Sequence, residues 1–250
     1  MSKQDEKKYY SRLSAEGQRH ADGKPYSDAE CGQMLMAIGQ IITLLPPPPA
    51  RLLDLGCGTG WTSEFYARTG YAVTGLDISI DMVRAAVRIR SFPSLNFVVA
   101  DFEQMPVSAA FDAIVSYGAL HHAQNLSSAL SSCRRALRPN GLMIVMEPGK
   151  GHSESETSRR YASEYGLTEQ SLPPDLICSA LRSSGYEEVK IFPWLGLFSS
   201  ALTAPPDKKS WKYQLVARSI GQQFAVLGIV RVTFNDCGAP LRGILDRRFQ

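Results

Sequence analysis

A glycine-rich stretch, LLDLGCGTGW at residues 52–61, follows a short apolar run and precedes a helical pattern. Gly56, Gly58 and Gly60 can adopt positive φ and carry no Cβ, so a ligand could lie directly against the backbone. Amide groups at the start of the next helix would face a negatively charged end of that ligand. A dinucleotide fingerprint would be GxGxxG, but position 61 is Trp61, which argues against a nicotinamide or flavin enzyme.

Two carboxylates follow the next two apolar runs. VTGLDIS places Asp77 after the second run, where it could accept hydrogen bonds from both hydroxyls of a ribose. FVVADFEQMP places Asp101 and Phe102 after the third run, where a carboxylate could bind the exocyclic amine of an adenine. Because the carboxyl ends of parallel strands share one edge of a sheet, we expect these residues to converge on an adenosine-containing ligand.

Three histidines follow the later apolar runs and are candidate catalytic bases. His121 and His122 come after the fourth run, and His152 comes after the fifth. An imidazole titrates near neutral pH and can accept a proton from an acceptor hydroxyl. The competing interpretation is that these histidines only shape their loops. No metal ion is expected.

The elements that would position these residues alternate between short apolar runs and helical stretches from Arg51 onward. This alternation is typical of βαβ units. We predict an α/β fold with a Rossmann-like, doubly wound, seven-stranded mixed sheet that is mostly parallel, with FAVLGIVRV at 224–232 as the antiparallel last strand. NLSSALSSCRRALRPNG at 125–141 is predicted to be a helix.

The chain divides into three parts within one domain. Residues 1–49 are predicted to form N-terminal cap or lid helices, which contain Tyr9, Tyr10 and Tyr26 and end at a run of four prolines. Residues 50–150 form the ligand-binding core. Residues 151–250 complete the sheet and carry an acceptor-side insertion at about 193–222, which would be a lid or a dimer contact.

Composition excludes several classes of protein. The 27 basic and 24 acidic residues are scattered and leave a net charge of +3, so no nucleic acid is expected. Five cysteines without a CxxC pair argue against a disulfide framework and suit a reducing compartment. No apolar run reaches the ~18 residues of a membrane span. We expect a cytoplasmic monomer or homodimer.

Five sequence blocks occur in a familiar order: LLDLGCGTG, VTGLDIS, VVADFEQMP, FDAIVSYGALHH and LRPNGLMIVMEPG. With them, roughly residues 50–150 resemble the class I S-adenosylmethionine-dependent methyltransferases, specifically the small-molecule "methyltransferase type 11" group. The resemblance implies S-adenosyl-L-methionine as cofactor, S-adenosyl-L-homocysteine as product and methylation of an O or N atom of a small molecule. The polar segment from 146 to 174 suggests a sugar or polysaccharide precursor as acceptor.

The resemblance also implies roles for individual residues. Asp54 and the glycine loop would hold the methionine end of the cofactor, Asp77 the ribose, and Ile78, Asp101 and Phe102 the adenine. Ser116 and Tyr117 would line the methyl-transfer face. The implied cofactor-binding residues are Asp54, Gly56, Cys57, Gly58, Gly60, Asp77, Ile78, Asp101, Phe102, Ser116 and Tyr117.

Two alternatives stay open from the sequence. A non-catalytic cofactor-binding or scaffolding subunit with the same fold would bind the cofactor or a partner protein without turnover. An NAD-linked oxidoreductase would bind NADH.

Overall fold

The computed structural model describes residues 2–192 and 227–231. Within these residues the helices are α1 Lys3–Arg12, α2 Ala15–Gly23, α3 Cys31–Leu44, α4 Trp61–Arg68, α5 Ile80–Ile89, α6 Leu126–Ala136, α7 Glu156–Tyr165 and α8 Pro174–Ser183. The strands are β1 Arg51–Leu55, β2 Ala72–Asp77, β3 Leu95–Val99, β4 Phe111–Tyr117, β5 Leu137–Met146, β6 Glu188–Phe192 and β7 Leu227–Arg231.

The strands lie side by side in the order β3-β2-β1-β4-β5-β7-β6. The pairs from β3 to β5 are parallel, and β7 is antiparallel to both β5 and β6. The strand order reverses direction between β1 and β4, which creates a crevice at the carboxyl edge of the sheet. The predicted fold class, an α/β Rossmann-like and mostly parallel sheet, is confirmed.

Helices cover both faces of the sheet because successive strand residues point to opposite sides. Leu53 and Leu55 of β1 pack in one apolar cluster with α6 and α8. Leu52 of the same strand packs in a second cluster with α3 and α4. Both faces of β1 are therefore buried, as expected for the centre of a doubly wound sheet.

Two elements differ from the sequence prediction. α6 ends at Ala136 and not near residue 141, because Leu137 already pairs with Phe111 in the parallel ladder. The polar segment after β5 contains α7, which the sequence pattern did not reveal. α7 begins after Ser155, whose hydroxyl accepts the Ser158 N–H. It is terminated by Gly166, which follows the last helical residue and has φ +74°.

The N-terminal part forms a helical cap beside the carboxyl edge of the sheet. α1 contacts α5 on one side and α7 on the other. The predicted insertion at 193–222 lies outside the described residues, so it stays a prediction, as does the division into three parts. In the portion of the chain that the structure describes, no helix has the length and apolar character needed to cross a membrane.

Candidate active site

A cavity of about 550 Å³ opens at the carboxyl edge of the sheet, between the strand ends and the cap. This edge is the usual ligand crevice of doubly wound folds, and the volume lies in the range of small-molecule sites. Most of the predicted site residues line it. These are Gly56, Cys57, Gly58, Asp77, Ile78, Asp101, Phe102, Tyr117, His121, His122 and His152.

Three predicted residues lie behind this lining. Asp54 is buried and accepts hydrogen bonds from the hydroxyls of Thr62 and Ser63, both at 2.5 Å. Burial raises the pKa of Asp54 to about 6. Ser116 is buried and Gly60 packs against the sheet. Asp54, Ser116 and Gly60 thus support the cavity lining from behind. That they contact a cofactor stays a prediction.

The glycine loop is open to the cavity at one position. All three of its glycines have positive φ. A Cβ added at Gly58 would meet no atom within 4 Å, whereas one at Gly60 would lie 2.6 Å from Cζ of Phe97. A Cβ at Gly56 would overlap that of Ala119. The protein's own packing therefore excludes side chains at Gly56 and Gly60, and only Gly58 leaves space that a ligand could use.

Asp77 supports the glycine loop from the end of β2. Its Oδ2 accepts the Gly58 N–H at 2.9 Å, and its Oδ1 accepts the Ser79 N–H at 2.8 Å. Burial raises the pKa of Asp77, although these amide hydrogen bonds oppose the shift. Each carboxylate oxygen has a second lone pair that can accept a further hydrogen bond.

Asp101 is joined to the cap by an ion pair. Nζ of Lys3 in α1 lies 2.5 Å from Oδ2 of Asp101 and 2.9 Å from Oε2 of Glu103. The other Asp101 oxygen accepts the Glu103 N–H at 2.9 Å. The atom predicted to bind an adenine amine is thus paired with a lysine of the cap in this structure.

The three cap tyrosines occupy different surroundings. Tyr9 lines the cavity and packs edge-on against Tyr165, with ring centroids 5.2 Å apart. Tyr10 is buried, and its hydroxyl donates to Asp22 at 2.9 Å. Tyr26 is 74% exposed. The lid role predicted for all three suits the position of Tyr9 alone.

The three candidate histidines come together in the same cavity. The part of its lining with the glycine loop, Asp77 and Asp101 is called the first end below, and the part with the histidines the second end. The ring centroids of His121 and His122 are 3.9 Å apart, and those of His121 and His152 are 4.8 Å apart. Nδ1 of His122 lies 2.7 Å from the carbonyl oxygen of Thr168. Burial and the neighbouring His121 lower the pKa of His122 to about 4, so this ring is neutral at neutral pH.

Glu147, at the end of β5, fixes the orientation of His121. Its carboxylate accepts the Ser116 hydroxyl at 2.5 Å, the N–H groups of Ala119 and Leu120 at 2.9 Å, and that of His121 at 3.3 Å. Burial opposes its ionisation, but the hydrogen bond from His121 and the other donors outweigh burial and lower its pKa. The ionised carboxylate, 2.8 Å from Nδ1 of His121, makes that nitrogen a donor, and in the neutral form of the ring Nε2 then carries the lone pair.

Two further carboxylates complete this end of the cavity. Oε2 of Glu169 lies 2.8 Å from Nε2 of His152 and 3.9 Å from Nε2 of His121. Oε1 of Glu6, in α1, accepts the Thr168 N–H at 2.8 Å and lies 3.9 Å from Nδ1 of His122. Burial raises the pKa of Glu6 to about 7, and the charge of Glu169 adds to the shift.

Sequence analysis missed these three glutamates. Glu147 could have been found, because it ends an apolar run at the same sheet edge as Asp77 and Asp101. Glu6 and Glu169 gave no such signal. They belong to the cap and to the loop after α7, whose positions depend on tertiary packing.

Comparison with known proteins finds a family match for the central segment of the chain, which supplies much of this site. Residues 53–145 match the family model described as "Methyltransferase domain". This segment is a class I methyltransferase domain of the type 11 group. It contains the glycine loop, Asp77, Asp101 and two of the three histidines of the cluster, so this domain contributes residues to both ends of the cavity.

Similar proteins match this chain over the segment that contains this domain. The malonyl-[acyl-carrier protein] O-methyltransferase of Pseudescherichia vulneris is 38% identical over 104 residues, which cover 41% of this chain and 41% of that protein. The demethylmenaquinone methyltransferase of Renibacterium salmoninarum is 35% identical over 102 residues, which cover 40% and 42%. The match therefore spans less than half the length of these curated relatives.

A solved structure extends the likeness to most of the fold. Phosphoethanolamine N-methyltransferase 2 of Haemonchus contortus, in complex with S-adenosyl-L-methionine, superposes with a TM-score of 0.66 at 18% identity. The superposition covers 93% of this chain and 60% of that one. At this identity the likeness shows the methyltransferase fold alone.

Proposed function

We propose that this protein transfers a methyl group from S-adenosyl-L-methionine to an O or N atom of a small molecule. The observation that carries the proposal is that one cavity joins the glycine loop, Asp77 and Asp101 at one end to the histidine cluster at the other. A cofactor held at the first end would present its methyl group towards an acceptor at the second.

The first end fits the cofactor. Gly58 leaves open space against the backbone, where a side chain would intrude. Asp77 keeps lone pairs for two ribose hydroxyls while its amide partners hold it in place. Ile78 and Phe102 line the wall where an adenine would pack. When bound, the cofactor supplies a methyl group that its positively charged sulfur already activates.

The protein's own contribution is to position the acceptor and to exclude water. Alignment of two reactants in a closed site can lower a barrier by ~7–11 kcal/mol. The cap covers the cavity, and the fixed Nε2 atom of His121 can accept a proton from an acceptor hydroxyl. His122 and His152 stay candidates for the same role.

The acceptor end suits a polar small molecule. Glu6, Glu169, Ser158 and the histidines line it and offer several donors and acceptors. This lining favours a hydroxyl-rich acceptor, such as a sugar or polysaccharide precursor, over an apolar one. The relatives' substrates, a malonyl-[acyl-carrier protein] and a demethylmenaquinone, belong to those proteins. A cytoplasmic location and a monomeric or homodimeric state stay predictions from the sequence.

Calorimetric titration with S-adenosyl-L-homocysteine tests the cofactor, with NADH as the control ligand. We expect micromolar binding of the first ligand and none of the second. Asp77→Ala should weaken binding by ~1–3 kcal/mol, since the ribose hydroxyls lose their acceptor. Asp81→Ala is the matched control, because Asp81 pairs with Arg84 on the surface of α5, outside the cavity lining.

The outcomes separate the alternatives. Binding of NADH alone would replace the methyltransferase proposal with an oxidoreductase. Binding of S-adenosyl-L-homocysteine without methylation of any acceptor in a library of sugars and amines would favour the non-catalytic subunit. An Asp77→Ala variant that binds like the wild type would show that the ribose lies elsewhere.

A further inference from the structure

We propose that His121, His122 and Glu169 bind one divalent transition-metal ion at the acceptor end of the cavity. One nitrogen or oxygen atom of each residue lies within 4.8 Å of the others. Nε2 of His121 and Oε2 of Glu169 are 3.9 Å apart, and Nδ1 of His122 lies 4.0 Å from Oε1 of Glu169. Two ligand atoms that each lie ~2.1 Å from one ion are roughly 3.4 Å apart in tetrahedral geometry, so binding requires side-chain rotations, chiefly of the His122 ring, that turn its Nε2 towards the ion.

The two histidines are hydrogen-bonded as metal ligands usually are. A histidine that binds a metal through one ring nitrogen almost always donates its other N–H to a carboxylate or a backbone carbonyl. Nδ1 of His121 lies 2.8 Å from the Glu147 carboxylate, and Nδ1 of His122 lies 2.7 Å from the Thr168 carbonyl. A carbonyl oxygen only accepts, so the Nδ1 atom of His122 carries the proton. In the neutral form of each ring, Nε2 is therefore unprotonated and can bind a metal.

The carboxylates around these histidine rings also favour a bound cation. Glu6 and Glu169 converge here, and their ion-pair partners in the described part of the chain are all histidines. Lys3, a lysine of the lining, pairs instead with Asp101 and Glu103. Buried carboxylates are stable when a cation or a set of donors compensates them. A bound divalent ion would supply that compensation.

Two imidazoles and a carboxylate suit a first-row transition metal rather than calcium or magnesium, which prefer oxygen ligands. Three protein ligands leave coordination positions open, as catalytic metal sites do, and an acceptor oxygen could fill one of them. This inference goes beyond the proposed methyl transfer and replaces the expectation that the site needs no metal. With the ion bound, the Nε2 atoms of His121 and His122 would be ligands and could not accept a proton, so His152 would be the remaining candidate base. His152 stays outside the ligand set.

Cobalt(II) is the probe, because its visible absorption reports the ligands. Metal-free protein with any affinity tag removed would be titrated with Co²⁺ by calorimetry and by absorption, without cofactor. We expect one Co²⁺ per chain, with visible bands of nitrogen and oxygen ligation and no thiolate charge-transfer band. The last criterion separates this site from cysteine binding.

Variants of the cluster decide whether the ion lies there. Glu169→Gln, which keeps the shape of the side chain, should weaken Co²⁺ binding at least tenfold, and His122→Ala should abolish it. His20→Ala is the matched control: His20 also lines the cavity, but it pairs with Asp28 at 3.6 Å and is not one of the three proposed ligands, so binding should be unchanged.

The proposal is overturned if the wild type binds no Co²⁺ at millimolar concentration, or if Glu169→Gln and His122→Ala bind it as the wild type does. Circular dichroism of each variant checks the fold, and Glu169→Gln keeps the test valid if His122→Ala does not fold. Titration of the same metal-free protein with S-adenosyl-L-homocysteine tests the proposed function separately, so failure of one can be distinguished from failure of the other.

Discussion

Gly58 and Gly60 provide a matched pair of substitutions in one loop. Both have positive φ, +54° and +77°, and they are separated by one residue. Their surroundings differ, because a Cβ at Gly58 points into open cavity whereas one at Gly60 lies 2.6 and 2.7 Å from the Phe97 ring. Alanine at each position should therefore show whether that glycine is needed for packing or for ligand binding.

The magnitudes follow from these contacts. An alanine with positive φ costs about 1–2 kcal/mol of unfolding free energy, which is the whole expected effect of Gly58→Ala. Gly60→Ala adds overpacking against Phe97, which costs about 1–3 kcal/mol, so its total loss should be about 2–5 kcal/mol. Conversely, the new methyl group at Gly58 stands where the cofactor should approach the backbone, and we expect affinity for S-adenosyl-L-homocysteine to fall at least tenfold.

Urea denaturation measures the first quantity and calorimetric titration the second, on the same two variants. The reasoning requires that Gly60→Ala be the less stable variant and Gly58→Ala the weaker binder. A Gly58→Ala protein that binds S-adenosyl-L-homocysteine with wild-type affinity would refute the placement of the cofactor. Equal stability of the two variants would refute the packing argument for Gly60.

Two further predictions concern buried carboxylates. Asp54→Asn removes a carboxyl group whose pKa is about 6 in the folded protein and 3.8 ordinarily. The folded state therefore binds this proton more readily than the unfolded state does. As a result, the unfolding free energy of the wild type relative to the variant should fall by up to about 3 kcal/mol between pH 4 and pH 7. Urea denaturation across that range checks this, and parallel pH profiles would contradict it. Glu147→Gln places an amide N–H₂ group among donors that include His121, so unfolding free energy should drop by about 2–4 kcal/mol. Glu188→Gln, at an exposed pair with Lys190, is the control and should change stability by less than ~0.5 kcal/mol; a similar loss in both variants would show that the Glu147 donors do not need a carboxylate.

The sequence was most informative where local pattern and tertiary structure agree. Alternating apolar runs from Arg51 onward predicted the parallel sheet, because buried strands and amphipathic helices have different periods. Residues that directly follow these runs, such as Asp77 and Asp101, could be placed at one edge for the same reason. The boundary of α6 was wrong, because the pairing of Leu137 with Phe111 overrides the helical pattern.

The site was less predictable where side chains from distant segments meet. The three glycines have the same sequence signature, and only the positions of Phe97 and Ala119 distinguish their roles. Glu6 and Glu169 reach the histidines through the cap and a loop, neither of which has a periodic pattern that fixes its place. Such residues are recognised by what surrounds them, which a single sequence does not contain.

The cap helix α1 connects both ends of the cavity through its own side chains. Lys3 pairs with Asp101, and Glu6, one turn later, accepts the Thr168 N–H beside His122. A displacement of α1 would therefore break the contact with Asp101 and the contact beside His122 together, so the two groups of cavity residues are mechanically coupled through one helix.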